Sequence, residues 1–214
     1  MKGNTVNILV LGKEGVGKTA LVVRFLTGRF LTEYAQCDEM AYERSIALDD
    51  KQVSLKVIDV GGKNIDKKSG SKESLQKIDG AVVVYSITDR QSFDVAESVV
   101  DWLRKERSSC IPIVLLGNKS DLDHARAVSN QKSEDIEWRN TGYMLSECSA
   151  SSDSEGVTKI FHMLVRKILE KRDTHIKAQR KLSLSHAPLG SPKLIRAHLR
   201  RRFSVFTRER TSTM

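Results

Sequence analysis

The chain has 214 residues, 39% of them hydrophobic and 29% charged, and its 36 Lys+Arg against 27 Asp+Glu leave a formal charge of +9. No apolar run approaches the roughly 18 residues of a membrane-spanning helix, and Met1-Lys2-Gly3-Asn4 opens no apolar secretory stretch, so a transmembrane or secreted protein is not expected. The charge is lopsided: residues 1–165 hold 22 basic and 24 acidic side chains, whereas residues 166–214 hold 14 and 3. The basicity therefore belongs to a C-terminal segment. Cys37, Cys110 and Cys148 form no Cys-x-x-Cys pair, which suits a reducing, cytoplasmic setting better than a disulfide scaffold or a zinc site.

In chain order, the apolar run Val6–Leu11 predicts a strand and Lys18–Leu26 a helix. Met40–Leu48 and Val53–Ile58 flank the polar turn Asp49-Asp50-Lys51-Gln52 and predict an antiparallel edge hairpin. Strands Ala81–Ser86, Ile111–Leu116 and Tyr143–Cys148 follow, separated by helical patterns at Ser92–Arg107 and Ser129–Arg139 and closed by Ser154–Lys171. Ser92, Ser129 and Ser154 are placed to act as helix N-caps. This alternation predicts a three-layer α/β domain over residues 1–172, with a six-stranded, mostly parallel sheet, one antiparallel edge strand and helices on its faces. From residue 173 the composition turns to Lys, Arg, Ser and His, with Pro188 and Pro192, so residues 173–214 are expected to be a basic, disordered tail.

Gly12-Lys13-Glu14-Gly15-Val16-Gly17-Lys18-Thr19 fits G-x-x-x-x-G-K-[ST], directly after a predicted strand and before a predicted helix. The glycines let backbone N–H groups converge on phosphate oxygens, Lys18 supplies a cation to the terminal phosphates, and the Thr19 hydroxyl suits Mg²⁺. The domain is thus expected to have a P-loop NTPase fold. Asp59-Val60-Gly61-Gly62 closes another strand at the same sheet edge, so Asp59 is expected to hold Mg²⁺ through water and the Gly62 N–H to sense a γ-phosphate. By itself Asp-x-Gly-Gly is only a turn signal.

Asn118-Lys119-Ser120-Asp121 follows a third strand. A carboxylate there accepts from both N1–H and the exocyclic amine of guanine, whereas adenine lacks that pair and leaves Asp121 unsatisfied. The base is therefore expected to be guanine, and an ATP-dependent kinase is disfavoured. Glu147-Cys148-Ser149-Ala150-Ser151, at the last strand end, adds an N–H at Ala150 suited to the guanine carbonyl.

With these motifs in order, residues 4–171 resemble a Ras-superfamily small GTPase. Asn118-Lys119-Ser120-Asp121 matches the family's Asn-Lys-x-Asp, and Phe30 matches the aromatic that packs on guanine. Within the superfamily, Ala20–Thr27, Asp121-Leu122-Asp123-His124 and the later Ser191-Pro192-Lys193 and Arg200-Arg201-Arg202-Phe203 look like the branch of the Ras-related estrogen-regulated growth inhibitor and Ras-like 11 proteins. The resemblance implies GTP or GDP as ligand, Mg²⁺ as cofactor, and nucleotide contacts from residues 12–20 (Ala20 included), Phe30, Gly62, Asn118, Lys119, Asp121, Leu122, Ser149, Ala150 and Ser151. It also implies effector and regulator proteins as partners, with the chain itself a monomer.

Three departures bear on hydrolysis. Cys37 stands where the family's first switch has the Thr that completes the Mg²⁺ shell, and a thiol is a poor ligand for a hard cation. The neighbouring Asp38 offers an oxygen but repels a γ-phosphate. Lys63 stands where the family has the Gln that orients the attacking water, and an ammonium accepts no hydrogen bond. Glu14 places a negative side chain in the phosphate loop, where it obstructs an arginine finger and repels the anionic ligand. The catalytic set, Lys18 with Lys63 in place of Gln, is thus expected to hydrolyse GTP slowly. Ala35–Met40 lacks the Asp-Pro-Thr character of Ras, so Ras effectors are not expected to bind, and Lys63–Lys72 reads as a basic second switch. The alternative is a non-switching module whose guanine nucleotide is structural.

The last cysteine is Cys148 and Lys2 stands where myristoylation needs Gly, so no lipid anchor is expected. Ile195, Leu199, Phe203 and Phe206 recur at i, i+4, i+8 and i+11 among arginines, a short basic amphipathic pattern if helical. Weak contact with an anionic membrane or acidic protein through residues 173–214 is expected, with nuclear placement an alternative. Arg180 and Arg201 three positions before Ser183 and Ser204 make both serines phosphorylation candidates. Nucleic acid ranks low, since few aromatics are available for stacking.

Overall fold

The computed structural model describes residues 5–31, 33, 39–61, 75–106, 111–129 and 143–185, with side chains to residue 179. Cys37, Asp38, Gly62, Lys63, the second-switch segment to Lys72, Cys110, the helix expected after Ser129 and the segment from residue 186 lie outside the described residues. The chain divides into two units between Lys171 and Arg172.

The first unit is built on six strands: β1 (Thr5–Leu11), β2 (Glu39–Leu48), β3 (Lys51–Val60), β4 (Gly80–Ser86), β5 (Ile113–Asn118) and β6 (Met144–Glu147). They lie in the order β2-β3-β1-β4-β5-β6, with only β2 antiparallel to its neighbour. The mixed sheet expected from the sequence is therefore present. β4 and β5 are buried along their whole length, as their near-continuous apolar sequence requires of strands covered on both faces. One face packs against α1 (Lys18–Thr27) and the start of α3 (Ser154–Ser185), with Phe25 and Phe161 stacked at 4.2 Å. The other packs against α2 (Arg90–Glu106), where Tyr85 meets the edge of Phe93 at 5.0 Å.

Several boundaries differ from expectation for identifiable reasons. β5 starts at Ile113 rather than Ile111, because Pro112 has no N–H for the ladder and contributes only a carbonyl, to Ala81 N–H at 3.0 Å. Its far end reaches Asn118, because pairing with β4 continues through Gly117 opposite Tyr85 and Asn118 opposite Ser86. The β2–β3 turn shrinks to Asp49-Asp50, both at positive φ (49° and 62°), a conformation that aspartate tolerates, and Arg166 of α3 grips Asp49 through two 2.8 Å contacts. The helix caps are aspartates: Asp89 Oδ1 accepts from Ser92 N–H at 3.3 Å and Asp153 Oδ1 from Gly156 N–H at 2.7 Å. Carboxylates satisfy the orphan amides and also oppose the positive helix end, so Ser92 and Ser154 are displaced into the first turn. α3 runs past Lys171 to Ser185, since residues 172–185 contain no Gly or Pro and the first breaker is Pro188. The second unit's described residues are this helical stretch, which exposes Ile176 and places the His175 ring 2.9 Å from the Gln179 amide. Among the described residues, no helix is long and apolar enough to cross a membrane.

Candidate functional site

The C-terminal ends of β1, β3, β5 and β6 carry, respectively, the phosphate-loop motif, Asp59, Asn118 and the Glu147–Ser151 segment. In an open α/β sheet this edge, where the strand order turns about β1, is where ligands bind.

The loop Gly12–Gly17 can form because its glycines occupy conformations that a side chain would strain. Gly12 sits at φ 149° against the Val84 carbonyl, Gly15 at 81° and Gly17 at 93° against Asn118. Gly17 precedes α1 without a side-chain cap, leaving the helix N-terminus able to receive an anion. Val16 is buried in the core and fixes the loop from beneath, while Glu14 is exposed. Lys13 reaches sideways to Asp89 Oδ2 at 3.0 Å and Gln91 Oε1 at 2.7 Å, tying the loop to the start of α2. Ala20 is buried in α1.

Lys18 is only 7% exposed, and its Nζ donates to the Lys13 carbonyl at 3.1 Å. Burial lowers its pKa, opposed by the charges of Asp59 and Glu14. Asp59 accepts from the Thr19 hydroxyl at 2.6 Å through Oδ2, while its Oδ1 is buried with no partner among the described residues. Burial raises the Asp59 pKa, against the Thr19 hydrogen bond and the Lys18 charge. A buried carboxylate oxygen with nothing to accept from, beside a hydroxyl, is a donor set suited to a hard cation such as Mg²⁺.

Asn118 bridges two loops. Its amide nitrogen donates to the Val16 carbonyl at 2.8 Å and its Oδ1 receives the Ala150 N–H at 3.0 Å. Lys119, in the left-handed region at φ 67°, donates from Nζ to the Gly15 carbonyl at 2.8 Å. Asp121 is exposed in the 3-10 turn Ser120–Ala125, with Oδ1 accepting from the buried Ser149 hydroxyl at 2.5 Å and Oδ2 from Ser151 at 3.4 Å. Leu122 beside it is 37% exposed, and Phe30 is 41% exposed with the Arg24 guanidinium 5.9 Å from its ring centre. Leu122 follows Asp121 in the chain, and Phe30 is linked to the Ser151 segment through Arg24, which contacts both.

Residues 7–170 match the Ras family. The chain belongs to the Ras family. It is 34% identical to the human Ras-related and estrogen-regulated growth inhibitor over 91% of this chain and 96% of that protein. It is 38% identical to zebrafish (Danio rerio) Ras-like protein family member 11B over 74% of this chain and 67% of that protein. With human Ras-like protein family member 12 the figures are 37%, 75% and 60%. This is accordingly a Ras-like GTP-binding signalling protein of the small GTPase class.

Against that family frame, the described residues bring Lys18, Thr19, Asp59, Asn118, Lys119, Asp121 and Ser149–Ser151 to one sheet edge, whereas Cys37, Gly62 and Lys63 lie outside them. The Ala150 N–H already serves Asn118, so a base carbonyl would share it. Three further contacts support the site. The Lys13–Asp89 link is one. Arg126 is another: its guanidinium forks onto both Glu147 oxygens at 2.9 Å and reaches Asp123 at 2.7 Å, pinning the Ser120–Ala125 turn to the end of β6 and raising its own pKa through these hydrogen bonds. The third is Arg24, whose contacts with Ala150, Ser151 and Gly28 cross the site. No motif announces any of them, although a lone Arg among the apolar residues of α1 was a visible oddity.

Proposed function

We propose that this chain is a guanine-nucleotide switch that binds GTP or GDP with Mg²⁺ and hydrolyses GTP slowly. The observation that carries the reading is the Asn118 amide, which joins the phosphate loop at Val16 to the base loop at Ala150. In this reading the residue 12–17 backbone and Lys18 hold the phosphates, Thr19 and Asp59 hold Mg²⁺, the latter through water, and Gly62 reads the γ-phosphate. Bound Mg²⁺ would neutralise charge on the phosphates. Phe30 and Leu122 cover the base, Lys119 supports the phosphate loop, and Asp121 with Ala150 selects guanine.

Slow turnover rests on the departures in the sequence. Lys63 has no lone pair to orient water, Cys37 is a poor Mg²⁺ ligand, and Glu14 adds negative charge beside the phosphates. Residues 1–172 form the nucleotide domain in this proposal, and the basic segment 173–214 adds weak contact with anionic membranes or acidic proteins.

Single-turnover hydrolysis of preloaded GTP with Mg²⁺, with Lys63→Gln alongside, tests the reading. The wild type is expected below the roughly 10⁻⁴ s⁻¹ intrinsic scale of Ras, with the variant faster. A wild-type rate at or above that scale removes the slow-turnover claim, and absence of guanine-nucleotide binding removes the whole reading. If neither protein cleaves or releases nucleotide, the nucleotide is structural and the chain works through its surface and basic segment.

A further inference from the structure

Arg24 lies in the interior of α1, yet its guanidinium makes no ion pair with a carboxylate among the described residues. Among the described residues its hydrogen bonds go to main-chain carbonyls: Nε donates to Ala150 O at 2.7 Å, one terminal nitrogen to Gly28 O at 3.0 Å and the other to Ser151 O. A planar fork that satisfies three carbonyls is a task arginine performs and lysine does not.

The two carbonyls in the base loop belong to peptide groups whose opposite ends are also spoken for. The N–H of the Ala150–Ser151 peptide is that of Ser151, and it donates to Ser149 Oγ at 3.2 Å. The N–H of the Ser151–Ser152 peptide is that of Ser152, and it donates to the same oxygen at 3.2 Å. Ser149 Oγ passes its own proton toward Asp121 Oδ1 at 2.5 Å. Two peptide groups are therefore held in parallel between a cation at their carbonyl ends and one buried hydroxyl at their N–H ends, and that hydroxyl orients the carboxylate. Polarisation runs in one direction along this chain: the guanidinium strengthens both N–H donors, which in turn make the Ser149 O–H a better donor to Asp121. The same guanidinium lies over the Phe30 ring, 5.9 Å from its centre.

We infer that Arg24 is a positioning residue for guanine recognition, acting on Asp121 through the Ala150–Ser152 peptides and Ser149. The inference rests on the guanine reading above and names a determinant within it. Arg24 touches no base or phosphate in this role. It fixes the carboxylate that reads the N1–H and exocyclic amine, and through Gly28 it closes the end of α1 from which Phe30 departs.

The test measures release rates and affinities of GDP and IDP for the full chain with Mg²⁺, for wild type, Arg24→Ala, Arg24→Lys, Ser149→Ala and the Arg24→Ala/Ser149→Ala double variant. IDP lacks the exocyclic amine, so the GDP-to-IDP affinity ratio reports how well Asp121 is placed, which a merely structural role for Arg24 does not move. Arg24→Ala is expected to release GDP about tenfold faster, the scale of a lost charge-assisted hydrogen bond, and to lower the ratio severalfold. Arg24→Lys, which keeps a cation without the fork, is expected to fall between the two and stands in if the alanine variant does not fold. The double variant is expected to be little worse than the poorer single variant, because both changes interrupt one chain. Unchanged release, equal weakening of GDP and IDP, or additive effects in the double variant overturn the positioning role alone. A wild type that does not favour GDP over IDP and ADP overturns the guanine reading itself.

Discussion

The Asn118 amide donates to the Val16 carbonyl at 2.8 Å, so a residue at the end of β5 holds the phosphate loop directly. Its other end takes the Ala150 N–H, and Asn118 is 2% exposed. Removing the side chain would leave a buried carbonyl and a buried N–H without partners, each at a cost of about 1–3 kcal/mol. Asn118→Ala is expected to lower the thermal midpoint and to weaken GDP binding by at least about tenfold. Asn118→Asp, which keeps the acceptor and loses the donor, is expected to lie between. Circular-dichroism melts with and without GDP check both; wild-type behaviour of Asn118→Ala would show that the bridge is incidental.

The Asp121 carboxylate is braced by Ser149, and in the proposed reading it is the acceptor that reads guanine. Asparagine at this position keeps one acceptor and gains an N–H donor, which suits the C2 carbonyl of xanthine and clashes with the guanine amine. Asp121→Asn is therefore expected to reverse the preference between GDP and XDP, each change being on the order of tenfold or more. Competition binding of the two nucleotides checks it, and retained preference for GDP would mean that Asp121 does not read the base.

What was legible in the sequence was what has a local pattern. β1 and β4 are carried by the apolar stretches Ile8–Leu11 and Ala81–Tyr85, the phosphate loop is a fixed spacing between a strand and a helix, and Asn118-Lys119-Ser120-Asp121 sits at a strand end. The hairpin announced itself through paired aspartates. The missing parts depend on partners distant in the chain: Arg24 and Ala150 are 126 positions apart and Lys13 and Asp89 are 76 apart, separations at which no periodicity survives. The helix caps are not legible because Asp and Ser both stand near each helix start and only geometry decides between them. α3 outruns the expected end at Lys171 because the Lys, Arg, Ala, Gln and Leu of this charge-rich stretch are also good helix formers and no breaker stands before Pro188.

Cys148 directly follows β6, 1% exposed, and burial pushes its thiol pKa up to about 12 from an ordinary 9.0. The thiolate is the reactive form, so alkylation of Cys148 at pH 8 is expected to be negligible in the folded chain and prompt after denaturation, read by peptide mass mapping. The same shift has a stability consequence. Because the folded-state pKa is raised, the contribution of Cys148 is complete below pH 9 and is lost as pH rises toward about 12, at a limiting slope of about 1.4 kcal/mol per pH unit. Tyr85, also raised by burial, adds a slope of the same sign from pH 10 upward. Cys148→Ala is thus expected to flatten the stability curve between pH 9 and 10 specifically. An unchanged curve in that window would refute the assignment.

Gly12 and Gly15 belong to one loop and one motif, yet their surroundings predict different penalties. A Cβ on Gly12 would lie 2.2 Å from the Val84 carbonyl oxygen, a backbone atom of the buried strand β4 that has no room to retreat. A Cβ on Gly15, at φ 81°, meets nothing within 4 Å. Gly15→Ala therefore carries only the left-handed backbone strain of about 1–2 kcal/mol. Gly12→Ala adds overpacking of about 1–3 kcal/mol to its own strained φ of 149°. At roughly 2–4 °C per kcal/mol for a chain of this size, the Gly12 variant is expected to melt several degrees below the Gly15 variant in nucleotide-free buffer. The order of the two midpoints checks the close approach of β1 to β4, since equal midpoints would mean that the strands move apart at no cost and that the tight loop entry is not fixed by packing.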